Sequence, residues 1–435
     1  MERTEIKDLP SSVGSRVKIV GFVDTIRNQK KTQFIVVRDR TGKIQAVAFR
    51  EEQSSQVTKD IDALTVESAI EVVGLVVEAP AVKLKGIELQ IETLKVYSKA
   101  ETPLPIRQDS SLEKQMDWRA LSLRHPEKLL IFRVQTTIEW AMRDFWRAEG
   151  FLEIHSPKLM GVASESGAEL FSLKYFEGKT AYLAQSPQFY KQMAMAAGFE
   201  KVFEIGPVFR ANPSFTSRHD TEFTSVDMEV AWISDYSDLI RLEEQWIIHI
   251  LKAVRDHHAI EIKKYFDVDV TVPSSPFPRI SLADARIVLE GRGHYISHKA
   301  DLDPAGERLL SEYILERYGH EFVFVTEYPA AVRAFYHMRP SENQEVTSSF
   351  DLLWKGLEIT TGAQREHRLD VLTAQATEKG LDLLLLENYL SFFRYGCPPH
   401  GGMGVGLTRL LMVLLGISNV REVTYLYRGP NRLSP

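Results

Sequence analysis

Apolar and polar residues alternate in five short stretches near the start of the chain: Val17, Ile19, Gly21 and Val23; residues 34–38; Gln45, Val47 and Phe49; residues 70–77; and Ile87, Leu89 and Ile91, running on to Val96. A two-residue period predicts strands with one buried face. Thr41-Gly42 and Lys85-Gly86 supply turn chemistry, and residues 51–66 leave room for a short helix between the third and fourth strands. Five strands in so short a span predict a small barrel. Further on, Leu130, Val134, Ile138, Ala141 and Phe145 recur at steps of three and four, one face of a long amphipathic helix that Gly150 ends.

The barrel pattern with an inserted helix is compatible with an OB-fold, and equally with a barrel that binds nothing. Pro103 and Pro105 break it, because proline disfavours helix and central strand. The expected organisation is therefore a barrel domain at residues 1–102, a linker at 103–120 and a second domain at 121–435. In the second domain a short strand at 151–154 precedes Pro157, and further strands are expected at 182–184, 202–205, 208–210, 223–232, 322–326, 347–353 and 357–361. They come in hairpin-like pairs, which predicts a mostly antiparallel sheet with flanking helices and a multidomain α+β fold.

Size and composition agree with this division. The chain has 435 residues, 44% hydrophobic and 26% charged, ordinary for folded domains. No run approaches the ~18 apolar residues of a membrane span, and the charged start, Met1-Glu-Arg-Thr-Glu, does not read as a secretory signal. The single cysteine, Cys397, excludes an intrachain disulfide and a thiolate zinc cage, so a cytoplasmic protein is expected. A net charge of −6 argues against coating nucleic acid by bulk electrostatics, but not against selective binding.

Three stretches combine residue types that handle phosphates and carboxylates. The first covers residues 203–210 and 223–232. Alternation in its second strand puts Val226, Met228, Val230 and Trp232 on one face and Phe223, Ser225, Asp227 and Glu229 on the other. The connecting loop carries Arg218 and His219, with Arg210 at its base, so two guanidiniums could meet phosphates while Phe223 offers a ring to a purine. A surface hairpin with solvated arginines reads the same way. The second stretch, residues 349–365, places Asp351 directly opposite Glu358 if a two-residue turn falls at Trp354-Lys355. Carboxylates with Cβ atoms ~5 Å apart repel unless a cation lies between them, and hard oxygen ligands suit Mg²⁺. The third, residues 399–409, clusters four glycines ahead of the apolar run 410–415, which permits close backbone approach to a ligand before a helix, with Arg409 reaching a phosphate. A tight turn would use the same glycines. The stretch matches neither GxxxxGK[ST] nor GxGxxG after a strand, so P-loop and dinucleotide folds are excluded.

In this order, behind a barrel, these stretches resemble the signature motifs of class II aminoacyl-tRNA synthetases. Phe151-Leu-Glu-Ile-His-Ser-Pro157 resembles motif 1, Phe209-Arg210 through Arg218-His219 to Phe223 motif 2, and Gly404-Val-Gly-Leu-Thr-Arg409 motif 3. The barrel-first order resembles the subgroup for aspartate, asparagine and lysine. Ser186-Pro-Gln-Phe-Tyr-Lys-Gln192 and Gly362-Ala-Gln-Arg365 resemble its aspartyl branch, whose side-chain carboxylate would meet Lys191 and Arg365, whereas an amide would leave the lysine uncompensated. The resemblance implies an L-aspartate site of Glu165, Gln188, Lys191, Arg210, Asp227, Thr361 and Arg365. It implies an ATP site of Arg210, Asn212, Arg218, His219, Asp220, Phe223, Glu358, Gly404, Val405, Gly406, Leu407 and Arg409, with Mg²⁺ on Asp351, Glu358 and Thr361. Arg210, Arg409 and Glu358 would carry catalysis by positioning and charge neutralisation, since the attacking α-carboxylate is already ionised. In the barrel, Arg27, Phe34, Gln45 and Asp24 would read anticodon bases of tRNA-Asp, and motif 1 implies a homodimer.

Several departures matter. Asn212 stands where motif 2 usually has glutamate, Thr361 replaces a serine, and no large insertion separates motifs 2 and 3, as in the compact archaeal and eukaryotic type. Asp24 stands where discriminating archaeal relatives often have tryptophan, and residues 78–83 also differ. The expectation is a relaxed anticodon pocket that accepts tRNA-Asn as well, whose product a partner amidotransferase would consume. The alternatives are a strictly discriminating enzyme, an asparagine synthetase-like amidating enzyme, which would not need the barrel, and a non-catalytic RNA-binding paralogue, which would have lost the arginines.

Overall fold

A computed structural model describes residues 1–50, 55–84, 86–162, 170–213 and 216–434. They form two compact units, Met1–Ser111 and Leu112–Pro435.

The first unit contains strands β1 (Arg16–Asn28), β2 (Thr32–Asp39) and β3 (Gly42–Phe49), helix α1 (Ser55–Ala63), and strands β4 (Ala69–Glu78) and β5 (Ile87–Ser98). The strands close into a barrel in the order β1-β2-β3-β5-β4. Its core takes alternate residues from each strand, among them Ile19, Val23, Ile35, Val37, Ile44, Ala46, Val72 and Leu89, with Ile61 from the helix. The five expected strands and the helix are all present. Lys85, half of one expected turn, lies outside the described residues.

The main elements of the second unit are α2 (Pro126–Ala148), β6 (Leu152–Glu153), α3 (Gln188–Ala196), β7 (Lys201–Phe209), β8 (Glu222–Ala231), α4 (Tyr236–Phe266), β9 (Arg279–Ser281), α5 (Pro304–Tyr318), β10 (Phe322–Thr326), β11 (Ser349–Trp354), β12 (Leu357–Arg365), β13 (His400–Gly406) and α6 (Leu407–Leu415). The eight-stranded sheet runs β9-β10-β11-β12-β13-β8-β7-β6. It is antiparallel except for the parallel outer pairs β9/β10 and β6/β7.

One sheet face is covered by helices. Leu130, Val134, Ile138 and Trp146 of α2 and Trp246, Ile250 and Val254 of α4 pack against Phe203, Met228, Met403 and Val405, with Leu410 and Leu414 of α6 closing the core. The two indoles stack at 5.1 Å. At the centre of the sheet, on β8, β12 and β13, the other face is polar and carries the candidate chemistry.

Several local expectations need correction. The strands expected at 202–205 and 208–210 are one strand, β7, which runs through Pro207; its neighbour β6 pairs only with Val202 and Phe203, so at the proline β7 is an edge and needs no amide donor there. Trp232 does not extend the apolar face of β8: it leaves the strand at φ 62° and is exposed. The β11–β12 turn lies at Lys355-Gly356, not Trp354-Lys355, with left-handed φ of 49° and 80° that suit a type I′ hairpin. The glycine stretch is neither a tight turn nor a loop but β13, an interior strand of the sheet. The 31-residue α4, for which no element was expected, spans the covered face.

Glu243 of α4 is fully buried, and burial pushes its carboxyl up to about 8. Because the folded chain holds this proton where the unfolded chain has released it, Glu243 withdraws stability as pH rises from the ordinary glutamate range towards about 8. Glu243→Gln should therefore raise the melting midpoint relative to the parent more at pH 8 than at pH 5, which parallel thermal melts check; an equal gap at both pH values would refute the assignment.

Candidate active site

The site begins with the alternation of β8. Val226, Met228 and Val230 enter the helix-covered core, so Glu229, Asp227, Ser225 and Phe223 follow one another along the open face. Pairing places Asp227 opposite Glu204 on one side and Gly404 on the other; Gly404 pairs with Thr361, and Thr361 with Asp351. One transverse row thus carries Glu204, Asp227, Gly404, Thr361 and Asp351.

Lys191 of α3 reaches over the bare central strand and is 2% exposed. Its Nζ donates to Asp227 Oδ1 at 2.9 Å and to the carbonyl oxygens of Met228 at 3.3 Å and Met403 at 3.1 Å, and stands 3.3 Å from Glu229 Oε2. Arg365 donates from Nε to Glu229 Oε1 at 2.9 Å and from Nη2 to the Gly402 carbonyl at 2.9 Å. Burial alone would raise Glu229, but the Arg365 and Lys191 charges outweigh it and hold the carboxyl below its ordinary value. Ser225 Oγ donates to the second Asp227 oxygen at 2.6 Å. This corrects the expectation that an amide substrate would leave Lys191 uncompensated: all three of its protons have acceptors within the protein.

Below this quartet, Gln188 donates to Gln192 at 2.9 Å, and Gln192 meets His400 Nε2 at 3.2 Å. The other His400 nitrogen lies 2.8 Å from the Pro398 carbonyl, and burial keeps the imidazole below its ordinary value and neutral. Gln192, His400, Glu229 and Glu204, which accepts from Lys158 at 2.6 Å, had no assigned role. Glu229 was visible from its alternation phase; the others carry no local signal.

The other end of β8 gathers the arginines. Arg210 is exposed, its guanidinium 5.2 Å from the centroid of the Phe223 ring. Arg218 Nη1 is 3.3 Å from Glu307 Oε2 of α5, and Arg409 Nη1 is 3.5 Å from Glu358 Oε1. His219 Nδ1 contacts Thr216 Oγ1 at 2.5 Å, and its carbonyl accepts from Tyr427 Oη at 3.0 Å. Asp220 is buried beside this loop, which pushes its carboxyl up to about 7. Asn212 is half-buried at the start of the loop. Gly404 and Gly406 lie on the open face, whereas the Val405 and Leu407 side chains are in the helix-covered core, so anything they offer a nucleotide is main chain. Glu165 and its loop, residues 163–168, lie outside the described residues.

Of the three expected metal ligands, the two carboxylates, Asp351 and Glu358, do not face each other. A bulge between Leu352 and Leu353 pairs Asp351 with Thr361 and sets Glu358 against Leu353. Arg333 holds Asp351 Oδ2 at 2.6 Å, and Thr361 Oγ1 donates to Glu358 Oε1 at 3.0 Å. Asp351 Oδ1 is buried without a hydrogen-bond partner. Among the described residues no three acidic, histidine or cysteine side chains cluster as a complete cation cage. Two carboxylates with one buried orphan oxygen do fit a cation that takes its remaining ligands from phosphate and water, as Mg²⁺ commonly does.

The barrel has a cluster of its own. Arg27 lies 5.7 Å from the centroid of the half-buried Phe34 ring and donates to Gln45 Oε1 at 2.9 Å; Gln45 donates to Glu88 at 3.1 Å. Asp24, at the β1 bulge, accepts from Arg38 at 2.8 Å and pairs with Lys43 at 2.8 Å, while Arg38 also holds Glu67 at 2.8 Å. The four expected anticodon residues fall on this one unit, three of them in direct contact.

Residues 111–428 match the family described as class II tRNA synthetases (D, K and N), and residues 17–97 match the OB-fold nucleic acid binding domain. The chain is 42% identical over 426 residues to an aspartate–tRNA(Asp) ligase of Pyrococcus horikoshii, covering 97% of each. It is 41% identical over 430 residues to an aspartate–tRNA(Asp/Asn) ligase of Aeropyrum pernix, covering 98% of this chain and 97% of that one. Asparaginyl-tRNA synthetase from Pyrococcus horikoshii, solved with asparaginyl-adenylate, superposes over 100% of both chains with a TM-score of 0.94 at 33% identity.

A Cβ on Gly402 would lie 2.1 Å from both Glu229 Oε2 and the Met228 carbonyl. Gly402→Ala should cost at least ~1–3 kcal/mol of stability and lower the melting midpoint sharply. An unchanged midpoint would show that the strand tolerates a side chain.

Proposed function

The chain belongs to the class II tRNA synthetases of the D, K and N group, and from that premise we propose that it attaches L-aspartate to tRNA-Asp, and also to tRNA-Asn, through an aspartyl-adenylate. The observation that carries the reading is the order of groups along the open face of β8: buried cations Lys191 and Arg365 at one end, exposed Arg210 and the Phe223 ring at the other. Aspartate takes the first end and ATP the second. The aspartate side chain shares Lys191 and Arg365 with Asp227 and Glu229, and its ammonium lies towards Asp227; Glu165 is assigned to that ammonium by the family resemblance alone.

The nucleophile is the substrate α-carboxylate, ionised near neutral pH, so no side chain need accept a proton. Arg210 bridges that carboxylate and the α-phosphate, opposing the charge that builds as oxygen attacks phosphorus and pyrophosphate leaves. Arg218 and Arg409 hold the β- and γ-phosphates, and adenine stacks on Phe223. Asp351, Glu358 and Thr361 would hold Mg²⁺, which when bound neutralises phosphate charge. In the second step a terminal ribose hydroxyl of tRNA attacks the activated carbonyl and loses its proton, the bond from that carbon to the phosphate oxygen breaks, and AMP leaves as the ester forms.

The barrel reads the anticodon, with a base on Phe34 and hydrogen bonds from Gln45 and Arg27; one stacked base contributes ~1–3 kcal/mol, enough for selection without excess positive charge. Asp24, engaged by Arg38 and Lys43, offers no ring to reject a different third anticodon base, which supports acceptance of both tRNAs. A tRNA amidotransferase would then consume the Asp-tRNA-Asn. We also place the enzyme in the cytoplasm as a homodimer through α2 and β6, where Trp140 is 69% and Leu152 52% exposed.

Purified enzyme should catalyse ATP–pyrophosphate exchange that depends on aspartate and not asparagine, and Lys191→Met should reduce it by ~100-fold or more, the scale of a lost positioning or charge contact in such a site. Charging of tRNA-Asp and tRNA-Asn transcripts with labelled aspartate, at one stated salt concentration, should proceed at comparable rates. Rejection of tRNA-Asn would make the enzyme strictly discriminating and remove the role given to Asp24. Exchange that follows asparagine would overturn the substrate assignment.

A further inference from the structure

Each arginine assigned to the leaving phosphates already has an anionic partner: Arg409 stands by Glu358, and Arg218 by Glu307. Glu358 belongs to the expected cation site. Glu307 belongs to no expected set, yet it lies on the first turn of α5 with its side chain only 12% exposed. Burial and the like charge of Glu358 push its carboxyl up to about 7 against the pull of Arg218 and Arg409, so the pair is fully ionic above that pH.

The backbone on both sides of the Arg218–Glu307 pair is anchored. Ser217 accepts from the Val420 amide at 2.8 Å, the Thr221 amide donates to the Arg428 carbonyl at 3.0 Å, and Tyr427 Oη donates to the His219 carbonyl at 3.0 Å. On the other side Asp303 caps α5 by accepting from the Ala305 and Gly306 amides at 3.1 and 2.7 Å. A Cβ on Gly306 would come 2.8 Å from Ile296 Cδ1, so the first turn of the helix is packed close. The element that can change partner is the Arg218 side chain, whose long stem lets the guanidinium pivot while Cα stays in place.

Resting on the functional reading above, we propose that Glu307 is the resting partner of Arg218: the β- and γ-phosphates of ATP displace it, and it takes the arginine back as pyrophosphate departs. Glu307 is a positioning residue that touches no reacting atom. It lowers affinity for the polyphosphate, because part of the Arg218–phosphate attraction is spent in breaking the pair, and so favours release of the product. An AMP moiety, which lacks the two outer phosphates, is indifferent to it.

At pH 8, where Glu307 is ionised, magnesium pyrophosphate and AMP are titrated calorimetrically into the full-length chain, its Glu307→Gln, Glu307→Ala and Arg218→Ala variants, and the Arg218→Ala/Glu307→Gln double variant. Glu307→Gln should tighten pyrophosphate binding roughly fivefold, the scale of one partly exposed ion pair, and leave AMP affinity within about twofold. In the Arg218→Ala background the same substitution should change pyrophosphate affinity by less than about twofold, since the partner is gone. Equal tightening in both backgrounds would mean that Glu307 acts on the phosphates as a bulk charge and overturns the proposal, as would weaker or unchanged pyrophosphate binding in both Glu307 variants. These outcomes concern pyrophosphate alone. A parent that binds pyrophosphate but shows no aspartate-dependent exchange instead overturns the reading of the amino-acid substrate.

Discussion

A Cβ atom at Gly402 would lie 2.1 Å from Glu229 Oε2, and one at Gly404 would lie 3.1 Å from Asp227 Oδ1, so the carboxylates that hold Lys191 and Arg365 can stand on β8 only because the strand beside it is bare. Burying an unpaired ion costs several kcal/mol, and removing one member of a buried pair is strongly destabilising. Lys191, Asp227, Glu229 and Arg365 avoid that cost by compensating one another two against two, with main-chain carbonyls of Met228, Met403 and Gly402 also accepting from the two cations. The glycines of β13 have a structural task before they have a functional one. They give α3, β8 and β12 a common meeting point in the middle of a sheet.

The same constraint explains how far the fold and the site could be read from the chain. Period-two alternation is a local signal, and the barrel strands, β8 and the Asp227/Glu229 phase were legible from it. The glycine strand was not, because a strand without side chains shows no alternation, and four glycines read equally well as a turn. Helix α4 did carry a pattern, Leu239, Trp246, Ile250 and Val254, but Glu243, Glu244 and His258 share its buried face and dilute the contrast on which such patterns depend. Asp351 was expected opposite Glu358 but pairs with Thr361, because the left-handed Lys355-Gly356 turn moves its partner along β12 and the bulge at Leu352/Leu353 moves it further.

Partners distant in sequence were illegible for a different reason. Arg333 and Asp351, Arg365 and Glu229, and Arg218 and Glu307 are each joined only by the folded chain, and nothing local to either member marks the other. The resemblance to a family supplied the arginines and the acids as separate lists, whereas the structure pairs them. That pairing changes the chemistry expected of them: on the proposed assignment, Lys191, Arg218 and Arg409 are groups that exchange partners when substrate arrives. Exchange of matched hydrogen bonds is nearly isoenergetic, whereas filling a vacancy is not, so such a site gains selectivity from the match of charges more than from their number.

On the proposed assignment, the choice of substrate is local to the side chain. Arg210 answers the α-carboxylate, and Asp227 with Glu165 answers the ammonium, groups that aspartate and asparagine share. The two amino acids differ where they meet Lys191 and Arg365, which are almost wholly buried. A carboxylate there only accepts, and can take hydrogen bonds from both cations, whereas an amide must turn a donating NH₂ group towards groups that only donate. A buried donor left facing a donor is the expensive outcome. The lysine alone cannot make this choice, because Asp227 and Glu229 already satisfy it; the choice belongs to the pair of cations and the two carboxylates that share them. A backbone shared with an asparaginyl enzyme is compatible with an aspartate site, since the sheet positions these groups and leaves their donor and acceptor pattern to the side chains.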